Sequence, residues 1–386
     1  MKPRKSAKIR PRKRSKVLVV VGTRPDAIKM APVLRRLKEL PELRVRVLGT
    51  AQHRGMLDQM LAAFKLKLDH DLDLMTPGQS PERILSAALK ALPGVYLEEA
   101  PDLVLVQGDT VTALAAALAA FFMRLPVGHV EAGLRSHDLS QPFPEEMNRT
   151  IIDRIASLHF CPTAGNRKNL VAEGVSAKNA YVTGNTVVDA LEELRKQPRP
   201  WEDRKLKSFL QSSRGKRLLV FTCHRRESFG APMRRMVAAL DRLVRRRKDL
   251  AAVFPVHPNP RVRACADALR RSRRLLLCRP LSYNDFIRLA SGADVILTDS
   301  GGVQEEAPTL GVPAVVMREK TDRPESVRSG HCVLAGTRTR DIVRRANALL
   351  RRKPRPSRRN PFGDGRSARR IAVLARRFLR EKAGRI

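Results

Sequence analysis

Aromatic side chains are scarce in this chain of 386 residues: they make up 4%, with one Trp and three Tyr. Cysteine is also rare, and the five present (161, 223, 265, 278 and 332) show no CxxC spacing. That argues against a zinc site and against a disulfide framework, and it suits thiols kept reduced in a cytosol, so a cytoplasmic protein is expected. No apolar run reaches the roughly 18–20 residues of a membrane span. The longest contender, Ala113 to Met123, is cut off by Arg124. Acidic residues are in short supply as well: 38 against 76 basic ones, for a formal net charge of +38. Such a field attracts phosphates, nucleic acid and anionic surfaces without saying anything about fold.

Hydrophobic residues at 42% and charged residues at 30% fit a globular protein and exclude a wholly disordered one. The length suits two or three domains. The first sixteen residues carry nine Lys/Arg and no apolar stretch, which does not fit a secretory signal. Residues 1–15 read as a disordered basic arm. With no interleaved aromatics, a solubilising tail is favoured over a nucleic-acid or anionic-surface contact.

The ordered chain is expected to start near Val17. Val17–Val21 is a continuous apolar run, as in a strand buried on both faces of a parallel sheet, followed by a turn at Gly22–Pro25 and helical spacing over Ala27–Leu40. The pattern recurs: strands at 43–48, 103–106, 127–130, 158–161 and 180–182, with an Ala-rich helix from Val111 to Arg124. A second series has strands at 218–222, 252–256, 275–278, 295–298, 314–317 and 331–334, with helices such as Met233–Arg246 and Val303–Leu310. Alternating strands and helices imply parallel sheets covered on both faces. The fold class is therefore α/β, two doubly wound Rossmann-like domains: 16–188 and 189–365, with a basic amphipathic final helix in 366–386. In such sheets ligands bind beyond the carboxyl ends of the strands, so the informative residues should lie just after them.

They do. Ser300-Gly301-Gly302 follows a strand and opens a helix, where glycines admit a ligand and free N–H groups meet a phosphate. Glu305 and Glu306 are placed in the first helical turn, either as dipole-favoured acids or with one on a ribose diol. Arg24 and Lys29 flank the first turn, offering a fork and a point charge for phosphate. Asp109 follows a strand and is either a helix N-cap or a functional acid. Glu131 and Glu145 lie near Arg135 and Arg149, as ion pairs or as converging carboxylates that split into acid and base. His224 and His257 each follow a strand of the second series.

These residues carry a resemblance. The segments GTRPDAIKMAPV (22–33), QHRGMLDQ (52–59), QGDT (107–110), HVEAGLRS (129–136), PFPEEMNR (142–149), VTGNTVVDAL (182–191), HRRESFG (224–230), PVHPNP (255–260), TDSGGVQEEAP (298–308) and RPE (323–325) resemble, in order, the non-hydrolysing UDP-N-acetylglucosamine 2-epimerases. The resemblance implies the glycosyltransferase type B arrangement, with the last helix packed back on the first domain. It implies reversible conversion of UDP-GlcNAc to UDP-ManNAc by anti-elimination of UDP through 2-acetamidoglucal, with no nicotinamide, no other cofactor and no metal. It implies Asp109, Glu131 and Glu145 as acid/base groups, Asp109 taking the C2 proton, with His224 and Lys29 in the catalytic set. Arg24, Gln52, Phe286, Ser300, Gly301, Gly302, Glu306 and Arg323 are implied on the UDP-sugar, Glu306 at the ribose and Phe286 beside the uracil. Gln52, Arg225 and His257 match positions of an activating second UDP-GlcNAc, and a homodimer is implied. Gly55 replaces a longer polar residue usual in the family, Ser228 an Asn and Asp26 a Glu. A hydrolysing epimerase releasing ManNAc and UDP, and an epimerase of a modified UDP-sugar, are the alternatives.

Overall fold

The computed structural model describes residues 14–50, 64, 66–74, 79–196, 200–269, 272–351 and 360–384. Most of the basic arm, and the segment holding Gln52 and Gly55, lie outside the described residues.

Among the described residues, seven strands form the first sheet: β1 (Ser15–Val21), β2 (Leu43–Gly49), β3 (His70–Asp71), β4 (Leu103–Gln107), β5 (Val127–Val130), β6 (Leu158–Cys161) and β7 (Ala180–Val182). All pairings are parallel, in the order β3-β2-β1-β4-β5-β6-β7. Six more form the second: β8 (Arg217–Thr222), β9 (Leu250–Pro255), β10 (Leu275–Cys278), β11 (Val295–Thr298), β12 (Ala314–Val316) and β13 (Cys332–Leu334), again all parallel, in the order β10-β9-β8-β11-β12-β13.

The continuous apolar runs are explained by what they feed. Val17, Val19 and Val21 enter one core of the first domain, while Leu18 and Val20 enter another on the opposite face. In β8, Leu219 and Phe221 face one core of the second domain and Val220 the other. Alternate residues of one strand thus need to be apolar in both directions.

Several expected boundaries move, for local reasons. Strand β1 begins at Ser15 rather than Val17, since its ladder with β2 runs from Ser15 opposite Leu43, and the Lys16 N–H donates to Asp102. The first helix begins at Arg24 rather than Ala27. Thr23 and Asp26 form a reciprocal capping box, and Pro25 in the first turn has no N–H to lose. Thr110, not Asp109, caps the helix Val111–Phe122, its hydroxyl accepting from the Ala113 N–H, so Asp109 is left free of that task. The helix after β11 starts at Gly301, which moves Glu305 and Glu306 out of the first turn and into the buried body of the helix. The two-residue edge strand β3 was not legible as a strand. The charged stretch between the two series contains two helices, Thr186–Lys196 and Arg204–Ser212.

The last helix, Ser367–Ala383, packs against Arg24–Lys38 and Thr186–Lys196. Its Ile371, Ala375 and Leu379 join the core that holds Met30 and Leu34. Asp189 accepts from the N–H groups of Ser367 and Ala368 at 3.1 and 2.9 Å, tying down the start of that helix. No helix among the described residues is long and apolar enough to cross a membrane.

Candidate active site

The loops beyond the carboxyl ends of the two sheets meet in one seam. Gly22 follows β1, and a Cβ there would fall 2.4 Å from the Thr112 hydroxyl, which itself lies 3.0 Å from the Thr50 hydroxyl. Only glycine lets the chain turn there into the helix that carries Arg24 and Lys29. Glu131 follows β5 in a left-handed conformation, φ +74°, strained for a residue with a side chain. That backbone turns its carboxylate into a buried cluster. One oxygen meets Lys29 and the Asn185 amide at 3.0 Å, and the other meets the Gln107 amide.

The second domain completes this cluster. Glu305 sits 3.1 Å from Lys29, and Arg323 donates through Nε to Glu305 at 2.9 Å while lying 3.6 Å from Glu131. Two carboxylates and two cations, one of each from either domain, thus form a buried square. Burial alone would lower the Lys29 ammonium, but Glu131 and Glu305 push it up to about 12. Burial would raise the Glu305 carboxyl, yet Lys29 and Arg323 hold it below the usual range. Glu131 is raised, by burial first, with Lys29 working against the shift. The helix Gly301–Leu310 points its N-terminus at Arg323 and Arg225: a Cβ on Gly301 would come within 2.9 Å of the Arg323 guanidinium and 3.2 Å of that of Arg225.

A second set of charges lies beside the square. Asp109 is paired with Arg149 at 2.6 Å and keeps 23% of its side chain open to the cleft. Glu145 begins the helix Glu145–Ile155, 3.8 Å from Arg225. Burial, and then the neighbouring Asp109, raise its carboxyl. Asp109 and Glu145 are therefore near neighbours in unequal surroundings. Across the cleft, the His224 and Arg225 N–H groups donate to Asp299, and the His224 ring stacks on that of His257 with centroids 5.5 Å apart. Burial lowers the His224 imidazole, with Arg225 and Arg24 assisting and Asp299 opposing.

Glu306 is buried and accepts from the Tyr283 hydroxyl at 3.0 Å. Phe286 is partly buried and packs against both the first core and a core of the second domain. Ser300 is the N-cap residue of the helix Gly301–Leu310, with no side-chain cap bond, and its own N–H donates to the Thr298 hydroxyl at 2.9 Å. Gln52 lies outside the described residues.

The family model described as UDP-N-acetylglucosamine 2-epimerase matches residues 35–375. The chain belongs to the UDP-N-acetylglucosamine 2-epimerase family. The Escherichia coli K12 UDP-N-acetylglucosamine 2-epimerase is 44% identical over 366 residues, covering 92% of this chain and 97% of the relative. A Staphylococcus aureus structure solved with UDP superposes with a TM-score of 0.89 at 39% identity, over 95% of this chain and 97% of that one. The Neisseria meningitidis UDP-GlcNAc 2-epimerase bound to UDP-GlcNAc superposes with a TM-score of 0.87 at 37% identity, covering 94% of this chain and all of the other. A glycosyltransferase of kitacinnamycin, at 15% identity and TM-score 0.63, shares the fold alone, the glycosyltransferase type B arrangement.

In this member of the UDP-N-acetylglucosamine 2-epimerase family, the structure brings together Lys29, Glu131, Arg323 and Glu305 in one cluster, and Asp109, Glu145 and Arg225 in its neighbour. Gln107, Asn185, Asp322 and Arg318 were not singled out from the sequence. Gln107 and Asn185 lie in the QGDT and VTGN segments, which mark them by position, whereas Asp322 has only its place before Arg323 to recommend it. Among the described residues, His70, Glu98 and Glu99 form a group of metal-capable donors beside β3, where Glu99 is already paired with Lys16 and Arg46.

Proposed function

We propose that this epimerase-family enzyme interconverts UDP-GlcNAc and UDP-ManNAc without hydrolysis, by anti-elimination of UDP and its re-addition. What supports this most is the placement of Asp109, Glu131 and Glu145 from one domain opposite Arg323, His224 and the Gly301–Leu310 helix end from the other. The C2 hydrogen of the sugar is not acidic, since no ketone or aldehyde adjoins it. Departure of UDP from C1 makes it so, by building positive charge on the ring. The leaving diphosphate needs cations and N–H donors: Arg24, His224, and the Gly301 and Gly302 N–H groups at the helix start. Arg323 holds the nucleotide end, and Glu306 takes the ribose hydroxyls.

Developing positive charge on the sugar is favoured by nearby carboxylates. Asp109, open to the cleft, takes the C2 proton, and 2-acetamidoglucal forms as the C1–O bond breaks. Glu145, whose surroundings hold it nearer the protonated form, suits return of a proton to the other face. UDP then re-adds at C1. Lys29 and Asn185 hold the Glu131 carboxylate in place within the buried cluster. Retention of the glycal and UDP in the closed seam is what separates this outcome from hydrolysis.

Proton NMR of the protein with UDP-GlcNAc in D2O tests the reading. UDP-ManNAc with deuterium at C2 is expected. Accumulation of ManNAc and free UDP would instead identify a hydrolysing enzyme. Asp109→Asn is expected to abolish deuterium entry, a loss of more than about 100-fold, while UDP affinity measured by calorimetry is retained. Near wild-type turnover of that variant would remove Asp109 from the base role.

A further inference from the structure

Four contacts join a six-residue segment of the second domain, Lys320–Glu325, to the first domain. Lys320 reaches Asp138 at 3.1 Å, Asp322 reaches Arg149 at 3.1 Å, Arg323 lies 3.6 Å from Glu131, and Glu325 accepts from the Thr163 hydroxyl at 2.7 Å. Among these, Arg149 is unusual in looking both ways. One of its terminal nitrogens meets Asp109 at 2.6 Å and the other meets Asp322. Its guanidinium is buried, as is Asp322, and its Nε donates to the carbonyl of Glu145 at 3.3 Å. Asp322 is in turn held by Arg323 and Arg318, and burial is outweighed by these cations, so that it remains ionised well below the usual carboxylate range. A buried guanidinium whose fork is divided between two carboxylates has one geometry only, because both N–H pairs must be matched.

We infer that Arg149 is a positioning residue that aims Asp109 only when the two domains are closed, with Asp322 supplying the signal from the second domain. Without Asp322 the guanidinium keeps Asp109 and the adjacent Glu146 as partners and is free to turn toward either. The base is then held but not aimed, and proton abstraction is loose until nucleotide binding brings Lys320–Glu325 against the first domain. This would confine C2 chemistry to the state in which water is shut out of the seam and the glycal cannot escape. The inference rests on Asp109 acting in C2 proton transfer, as proposed above.

The test is a double-mutant cycle on the full chain with Arg149→Lys and Asp322→Asn, reading turnover of UDP-GlcNAc, UDP affinity by calorimetry, and UDP-induced compaction by small-angle X-ray scattering. Arg149→Lys is expected to lower kcat at least about tenfold with UDP affinity within about threefold, since a point charge cannot serve both carboxylates. Asp322→Asn is expected to lower kcat in the wild-type background but by less than about twofold more in the Arg149→Lys background. Both variants are expected to compact less on UDP addition. Full additivity of the two kcat losses, or unchanged compaction, overturns the inference. Should Arg149→Lys fail to fold, Asp322→Asn alone decides: kcat unchanged relative to wild type sinks the link. If the wild type itself shows no C2 exchange, the proposed reaction fails, while the scattering readout still judges the closure link by itself.

Discussion

At the scale of single residues, Asp26 shows how one side chain can serve the fold and tax it together. It accepts from the Gly22 and Thr23 N–H groups at 3.1 and 3.0 Å and so shapes the turn below Arg24. Burial nevertheless raises its carboxyl from 3.8 to about 6, against the pull of those bonds. The folded value lies above the unfolded one, so the fold favours the protonated form. Its contribution is fully present below about pH 4 and is lost as pH rises through about 6, by an amount on the order of 3 kcal/mol. Replacing Asp26 by Asn removes the titration. Thermal melts of Asp26→Asn between about pH 4 and 6.5 should show a flatter dependence than the wild type. A slope identical to that of the wild type would clear Asp26 of the effect.

At the scale of elements, the strands were legible because burial on both faces demands uninterrupted apolar residues: Val295–Thr298 and Leu275–Cys278 fall where the runs of apolar residues do. Helix starts were less legible. Thr23 and Asp26 set the first one by a side-chain exchange that overrides the apolar spacing beginning at Ala27. The candidate site was legible as positions after strands. Its wiring was not, because Arg149 and Asp322 are 173 residues apart and become partners only where the two domains meet. The same limit hid the role of Asp189, which accepts both leading N–H groups of the final helix. Asp189→Ala leaves those buried donors unmatched, and a loss of about 2 kcal/mol is expected in urea unfolding. No loss would mean that water or a neighbour replaces the cap.

At the scale of the whole molecule, charge is distributed unevenly. The seam is close to charge-matched, with Glu131, Glu305 and Asp322 answering Lys29, Arg323 and Arg149, all buried. The excess of +38 must therefore sit mainly elsewhere, as on the exposed faces of helices such as Ala231–Arg246. Exposed charge is screened by salt, and buried pairs much less so. Raising NaCl from about 50 to 500 mM is thus expected to increase KM for the dianionic UDP-sugar several-fold while leaving kcat within about twofold. Steady-state kinetics at the two salt levels checks this, and a kcat that falls in step with the rise in KM would place the responsive charges inside the site.

The return of Ser367–Ala383 to the first domain bears on how the protein is made. Synthesis runs from the N-terminus, and domains generally fold as they emerge. Here the core beneath Arg24–Lys38 lacks Ile371, Ala375 and Leu379 until the whole second sheet has been synthesised. The first domain is therefore completed only after the second has been made, and one face of its first helix stays uncovered until then.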